Sequence, residues 1–526
     1  QACKSQHEEG RAMSLSFARP WPCYGWQQPT APRRGDQPLW RSPQVLWSWA
    51  RSRAGSVLLG VSLVRARKRP RCRVAAKKKI WSQKWRGAPR APDEDGVRED
   101  LETHKGSYLW VFEQEGVDWQ KLAGSPEKAP KTTLALVFGY DGRRYKGLQQ
   151  ISNCGTFRHT VESELELALL KAGAITPANF GNLKKLSWTR VGRTDAGVSA
   201  ACNVVTARLI VGDDGLEGLV ERINSFLPKD ILLHNLVKVT KRFNARGAGS
   251  RRAYIYLLPS CCVVPTLEPV AAALAAAGCS SVLELGDDIL QKIEEAAGLR
   301  QVRAQPAQLA IFREALACFQ GTHFFSNFSN AGLESTDVQG FRHIRQVDCG
   351  EPFLDKEGRE WLPVTVAADS FLTHQIRKML ATAAQVAQGY LPMAFIHAAL
   401  ERWITCKTPK LPPYGLIFLR PWFRHSPAGL LVDEAINEPK VQESVAPWLE
   451  KLKSAVLEES SEAPGHWVRY LACIMVHEEE MRREAHEAVG KHAIEVQRQA
   501  RRQAQRQAAA TQVTSIVAAA GEPLWL

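Results

Sequence analysis

The stretch Val191-Gly192-Arg193-Thr194-Asp195-Ala196-Gly197-Val198 is the most specific in the chain, and the reading of the whole fold turns on it. Two glycines bracket an Arg-Thr-Asp, and glycine lets a backbone turn tightly or approach a ligand closely. The flanking runs, Leu186–Val191 and Cys202–Ile210, read as strands. A carboxylate on a tight loop between strands, with a guanidinium and a hydroxyl beside it, is a candidate catalytic group. Taken alone, the pattern fits equally a turn closed by an Asx-type hydrogen bond, so both readings stand at this point.

Working outward, Thr133–Tyr140 reads as a strand ending in an Asp141-Gly142 turn. Phe157–Ala172 carries a helical stripe of Val161, Leu165, Ala168 and Leu169. Leu216–Phe226 reads as a helix, and Ile231–Val239 and Ala253–Leu258 as strands. From Pro259 to about Ala304 the chain becomes rich in Ala, Cys and Leu, an insertion expected to hold one or two helices. A second block follows: helix Ala307–Phe319, strands over Arg342–Cys349 and Trp361–Ala368, helix Phe371–Gln388 and strand Leu416–Pro421. Strands and helices alternate without the regular crossovers of a doubly wound sheet, which predicts an α+β fold of two similar lobes facing each other.

These readings divide the chain into a basic extension over 1–130, a first lobe over 131–260 and an insertion over 261–305. A second lobe over 306–425 and a charged helical extension over 426–526 complete it. Within the last, Glu478–Gln507 has acidic residues first and Arg and Gln later. That is a solvated surface helix, with an RNA-touching tail as the sharper alternative.

Of 526 residues, 69 are Lys or Arg and 54 Asp or Glu, a formal charge of +15. Residues 37–92 hold 15 of the cations and no acid, which leaves 54 basic against 54 acidic residues elsewhere. A polyanion-binding body must therefore segregate charge onto one face. The acid-free leader fits an organelle transit peptide, a nuclear signal, a loose phosphate-binding arm or an extension without a specific role. The chain begins with Gln1 rather than Met, which leaves its true N-terminus open. The longest apolar run near the N-terminus, Val57 to Val64, is far short of the ~20 residues of a membrane span, so no membrane partner is expected. Twelve scattered cysteines without Cys-x-x-Cys or zinc spacing point to a reducing compartment and no metal.

Further motifs give the loop a context. Phe138-Gly139-Tyr140-Asp141-Gly142-Arg143-Arg144-Tyr145-Lys146-Gly147-Leu148-Gln149 precedes it, followed by Thr160-Val161-Glu162. The loop continues into Ser199-Ala200-Ala201. Arg242-Phe243-Asn244-Ala245-Arg246, Arg252-Ala253-Tyr254-Ile255-Tyr256, Phe319-Gln320-Gly321-Thr322-His323-Phe324-Phe325 and Arg342-His343-Ile344 come next. Then follow Ser370-Phe371-Leu372-Thr373-His374-Gln375-Ile376-Arg377-Lys378-Met379 and Tyr414-Gly415-Leu416. In this order, over about 131–425, the chain resembles the tRNA pseudouridine synthase family of the TruA type, in its eukaryotic branch. Leu148, Ala368-Asp369 and Ala381 depart from the family pattern at turn and helix-packing positions.

The resemblance implies two ferredoxin-like, RRM-like lobes with antiparallel sheets around a central RNA-binding cleft, the pseudouridine synthase fold. It implies isomerisation of specific tRNA uridines without a cofactor, with other structured RNA as an open alternative. Asp195 is implied as the catalytic carboxylate, Arg377 as its guanidinium partner, and Tyr254 as the residue that stacks on the uracil. Arg193, Thr194, Arg246, Arg252, His374, Gln375 and Lys378 are implied to bind RNA, and Arg251 and Arg143-Arg144 to help line the cleft. Eukaryotic members tend to act as monomers, in the nucleus or an organelle. The competing expectations are a non-catalytic RNA-binding protein on the same fold and an aspartate-nucleophile hydrolase unrelated to RNA.

Overall fold

A computed structural model describes residues 130–150, 159–276, 286–424, 426–462 and 465–519 of the protein. All fall in one of the two units into which the chain divides, Arg86–Leu526. The basic segment and the leader over 1–129 lie outside the described residues.

In chain order the elements are β1 (Lys131–Tyr140), α1 (Val161–Lys171), β2 (Thr189–Arg190), β3 (Ser199–Ile210), α2 (Gly215–Phe226) and β4 (Ile231–Lys238). A short α3 (Ala245–Ala248) leads into β5 (Gly249–Pro259), then α4 (Leu267–Ala276), α5 (Asp287–Ala296) and α6 (Pro306–Ala317). The remainder is β6 (Gly321–Phe324), β7 (Phe341–Cys349), β8 (Phe353–Leu354), β9 (Glu360–Ala368), α7 (Gln375–Ala387), α8 (Met393–Leu400) and β10 (Leu416–Phe423). Three helices close the chain: α9 (Pro427–Asn437), α10 (Pro439–Glu462) and α11 (Gly465–Ala519).

The α+β class is as expected. The strands of the two halves join edge to edge into one ten-stranded sheet, ordered β4-β1-β3-β10-β5-β9-β7-β6, with β2 on β3 and β8 on β9. Every pairing is antiparallel except the seam, where β10 runs parallel to β3 through Ile417 opposite Ser199 and Phe418 opposite Ala200. Across its other edge β10 pairs antiparallel with β5, placing Phe418 opposite Tyr254. The last strand in sequence thus lies between the strand that follows the Asp195 loop and the strand that carries Tyr254.

Burial follows from composition. In β1 the run Thr133–Tyr140 is buried without alternation, as a strand covered on both faces must be. Toward the far edge, β7 alternates and keeps a solvated face. Helix α1 starts where Thr160 and Ser163 cap each other's backbone N–H groups. Helix α7 is buried at every residue but Lys378, and its alanines at 381, 383, 384 and 387 let neighbouring elements approach closely.

Several expectations need correction. Leu186–Val191 is not one strand: Leu186 ends a 3-10 turn, Ser187 is left-handed, and only Thr189–Arg190 pairs with β3. The helix expected from Phe371 begins at Gln375, because His374 adopts a left-handed backbone with φ +66° that no continuous right-handed helix can contain. The insertion does hold two helices, α4 and α5. The C-terminal region is more than a charged appendage. Trp467 of α11 packs edge-on against Tyr256 of β5 and Trp361 of β9, and Met481, Ala485 and Ala488 are buried. Only from Val496 to Gln512 is α11 exposed on every side, as a solvated helix would be.

Helix α10 docks on the sheet through Trp448 and Ser444. A Cβ added to Gly139 of β1 would stand 2.4 Å from Trp448 Nε1 and 2.7 Å from the carbonyl oxygen of Ala201, a backbone atom that cannot yield. Gly139→Ala is therefore expected to lower stability by about 1–3 kcal/mol, seen as a lower urea midpoint, with overpacking as the cause. Beside it, His234 Nε2 donates to Ala201 O at 3.0 Å while Nδ1 accepts from the Ser444 hydroxyl at 2.8 Å. Burial pushes its pKa down to about 4 from an ordinary value near 6.5. Below pH 6.5 the unfolded chain takes up this proton and the folded one does not, so stability should fall between pH 6.5 and 4. His234→Asn should show a shallower decline of the urea midpoint over that window than the wild type.

Candidate active site

The Asp195 loop is fixed by its backbone. Val191 N–H donates to Val204 O at 3.0 Å, and Val198 N–H closes the turn on Asp195 O at 3.2 Å. The turn is thus closed by a main-chain oxygen, not by the Asx-type bond that the sequence left open. From the β1 side, Leu148 N–H donates to Thr194 O and Gly197 N–H to Tyr145 O, both at 3.3 Å. Gly197 needs its freedom: φ is +81° and a Cβ would meet Pro413 at 3.0 Å and Tyr414 at 3.1 Å. Beneath the loop the Thr194 hydroxyl bonds Tyr140 OH at 2.8 Å, and Asn203 Nδ2 donates to the same phenol at 3.2 Å. Burial holds the Tyr140 phenol well above its usual pKa, so it remains a neutral support.

Facing this loop is the N-terminal turn of α7. Arg377 Nη1 lies 3.6 Å from Asp195 Oδ2, with 4% of the arginine side chain exposed against 30% of the aspartate. Its Nε donates to Leu411 O at 2.8 Å, which leaves the remaining N–H groups aimed from a fixed plane. Burial lowers its pKa, countered by Asp195, yet a guanidinium keeps its proton throughout the working range. His374 Nε2 stands 3.6 Å from the same carboxylate oxygen. Both separations are slightly longer than a hydrogen bond, as is common in a site that closes on its ligand.

Between them lies a cavity of about 750 Å³, within the usual range for small-molecule sites. Six cations line it, Lys146, Arg190, Arg193, Arg246, Arg252 and Arg377, and Asp195 is the one lining carboxylate. The charge segregation that a neutral body would need is thus present here. Arg190 and Arg246 push against Arg193 and depress its pKa, after burial, an arrangement that an anion between them would relieve. Tyr254 lines the floor, its ring edge-on to Phe371 at 5.3 Å and tilted against Phe418 at 4.8 Å. Burial raises its phenol pKa above the usual value near 10, so it acts as a ring and a neutral hydroxyl, not as a phenolate.

Arg193, Thr194, Arg246, Arg252, His374 and Gln375 all line the cavity together with Asp195, Tyr254 and Arg377. Lys378 does not: one residue past Arg377 on the helix it points elsewhere, and Nζ donates to the carbonyls of Asn327 and Ser329 at 3.2 and 3.3 Å. Arg251 stacks on Trp422 instead, and Arg143 forks onto Asp141 and bonds Ala455 O. Arg252 lines the wall, yet its guanidinium binds the carbonyls of Val191 and Asp369, holding loop to sheet. Gln375 Oε1 accepts from Leu372 N–H at 2.8 Å and caps the turn before α7. Phe324, Phe325 and Phe328 are core, as expected.

The sequence reading missed Arg190, whose guanidinium forks onto the buried Glu162 of α1 at 2.5 and 2.9 Å, with Trp188 Nε1 donating to the same carboxylate. It also missed Lys410, whose pKa is pushed down to about 8 by burial and by Arg377, with Asp195 opposing. Neither carries a motif; only the partner across the fold reveals it. Among the described residues no group of three or more His, Cys, Asp or Glu side chains is placed to hold a metal ion. No described helix is long and apolar enough to cross a membrane.

A family model described as tRNA pseudouridine synthase matches residues 315–423, which takes in Arg377 and begins after Asp195 and Tyr254. The Pseudouridylate synthase 1 homolog of Mus musculus is 33% identical over 329 residues, 61% of this chain and 68% of the relative. Its counterpart in Homo sapiens is 34% identical over 295 residues, 55% of this chain and 60% of the relative. The tRNA pseudouridine synthase 1 of Yarrowia lipolytica is 30% identical over 354 residues, 57% of this chain and 65% of the relative. The chain therefore spans about two thirds of the length of these relatives. Family model, relatives and a carboxylate set in a cation-lined cavity agree: the chain belongs to the tRNA pseudouridine synthase family.

Proposed function

We propose that this protein isomerises uridine to pseudouridine in tRNA, with Asp195 as the carboxylate that acts on the ribose. The observation that carries the reading is the Asp195–Arg377 pair at 3.6 Å, the one lining carboxylate facing a buried guanidinium inside a cavity with five further lining cations. The reaction breaks the C1′–N1 bond, turns the freed uracil, joins C5 to C1′, removes a proton from C5 and delivers one to N1. Every atom of the base is kept and nothing is oxidised. What is required is an anionic oxygen beside C1′, either to attack it or to deprotonate the sugar, and Asp195 supplies it.

The remaining residues serve that step. Arg377 sets a fixed positive charge 3.6 Å from the carboxylate. Tyr254 offers its ring to the uracil and its neutral hydroxyl to the turning base. A uridine within a stacked stem reaches this cavity only after flipping out, at a cost of a few kcal/mol. Arg193 and Arg246, with no ion-pair partner among the described residues, meet phosphates, so RNA is held by shape more than by base sequence. On this reading 131–260 and 306–425 act as two lobes, 261–305 is an insertion between them, and the protein works as a monomer. The basic leader carries its address, nuclear or organellar.

Asp195→Asn should abolish pseudouridine formation in purified tRNA, mapped by carbodiimide and primer extension, while tRNA affinity by gel shift stays within severalfold. Undiminished product from that variant would remove Asp195 from the mechanism. Binding without product in the wild type as well would indicate an RNA-binding protein instead. Arg377→Lys keeps the charge but loses the Nε bond to Leu411 O. We expect kcat to fall on the order of 10²-fold with little change in KM, because the carboxylate is misplaced while the RNA contacts stay intact.

A further inference from the structure

His374 occupies a backbone conformation that its side chain does not favour. Its φ is +66°, and the only other described non-glycine residue with positive φ is Ser187, in an exposed turn. Glycine or asparagine would fit this left-handed turn with less strain. A non-glycine residue held in this sparsely populated region marks a place where the surrounding structure fixes the backbone, as active sites often do. Here the turn swings the imidazole over the first residues of α7 and brings Nε2 to 3.6 Å from Asp195 Oδ2.

The ring's protonation follows from its surroundings. Its Nδ1 is buried and has no hydrogen-bond partner among the described residues. A proton there would be an orphaned buried donor, the rarer and costlier defect, so the hydrogen belongs on Nε2 and points at the carboxylate. Burial pushes the pKa of His374 down to about 4. Asp195 favours the proton, but Lys410, Arg377 and Lys378 all oppose a second charge. The ring is therefore neutral at working pH.

We propose that His374 is a positioning residue for Asp195, a neutral Nε2–H donor that fixes which carboxylate oxygen faces the ribose. Arg377 supplies charge and His374 supplies direction. Two full positive charges on one carboxylate would blunt its reactivity toward C1′, whereas a neutral donor orients it without that loss. The left-handed turn before α7 brings this donor to the same carboxylate oxygen that Arg377, anchored on Leu411 O, faces. This inference rests on the proposed uridine isomerisation and deepens it.

The test compares His374→Gly and His374→Asn in the full chain. Both residues suit the backbone, so both variants should fold, with thermal midpoints no lower than the wild type. His374→Gly should lose about 10²-fold in kcat with KM for tRNA within about twofold, as removal of one preorganised donor does. His374→Asn, which keeps an amide donor, should recover about a tenth or more of wild-type kcat. Independently of activity, side-chain 15N spectra should show the Nε2–H tautomer in the wild type and a shift of Nε2 in Asp195→Asn. A glycine variant with wild-type kcat, a loss confined to KM, or an Nδ1–H tautomer would overturn the proposal. An inactive wild type that still shows the Nε2–H signal coupled to Asp195 would instead sink the assigned reaction and leave the positioning contact standing.

Discussion

The site depends on a short seam. Strand β10 joins the two halves of the sheet by pairing with β3 on one edge and β5 on the other, and the β3 contact is parallel and brief. Ser199, at that seam, lies four residues after Asp195 and pairs with Ile417; the next residue, Phe418, pairs with Ala200 and packs against Tyr254. The strand arrives directly from Leu411-Pro412-Pro413-Tyr414, whose Leu411 carbonyl fixes Arg377 and whose Pro413 and Tyr414 crowd Gly197. This segment thus touches the Asp195 loop, anchors Arg377 and packs against the ring of Tyr254. Hydrogen bonds along a sheet set spacing to a fraction of an ångström, which side-chain packing alone does not.

Electrostatics then gives the cavity its character. A carboxylate with partial exposure faces a nearly buried guanidinium, and the walls add five more cations. Burying Arg377 is costly, and the Nε bond to Leu411 O and the carboxylate of Asp195 at 3.6 Å offset that cost. The excess of positive charge left over is unfavourable for the empty protein, as the lowering of Arg193's pKa by burial and then by Arg190 and Arg246 shows. A polyanion relieves it. The same arrangement that strains the free protein therefore favours the RNA-bound state on the proposed reading.

Much of the local structure was legible because local rules govern it. The strands around Tyr140 and Tyr254 and the Gly197 turn follow from burial and positive φ, each a property of a few neighbouring residues. The start of α7 was misread because Phe371-Leu372-Thr373-His374 is apolar enough for a helical face. Its left-handed turn is imposed by the site, against the propensity of histidine. Lys378 looked like Arg377's companion in sequence, but one residue along a helix is about 100° around it, and that rotation sends Nζ to the carbonyls of Asn327 and Ser329.

The amino-acid order alone determined which residues were chemically capable: an aspartate between glycines, a tyrosine on a strand, an arginine on a helix, and a net charge confined to one segment. It determined the α+β class through the spacing of apolar residues. Tertiary structure alone decided that the two sets of strands merge through β10, and that Glu162 claims Arg190. It also decided that the turned-back His374 and the anchored Arg377 converge on one carboxylate oxygen. The reason is distance: periodicity and capping act over a few residues, whereas Asp195 meets its partners across a span of sequence that only the register of the sheet can close.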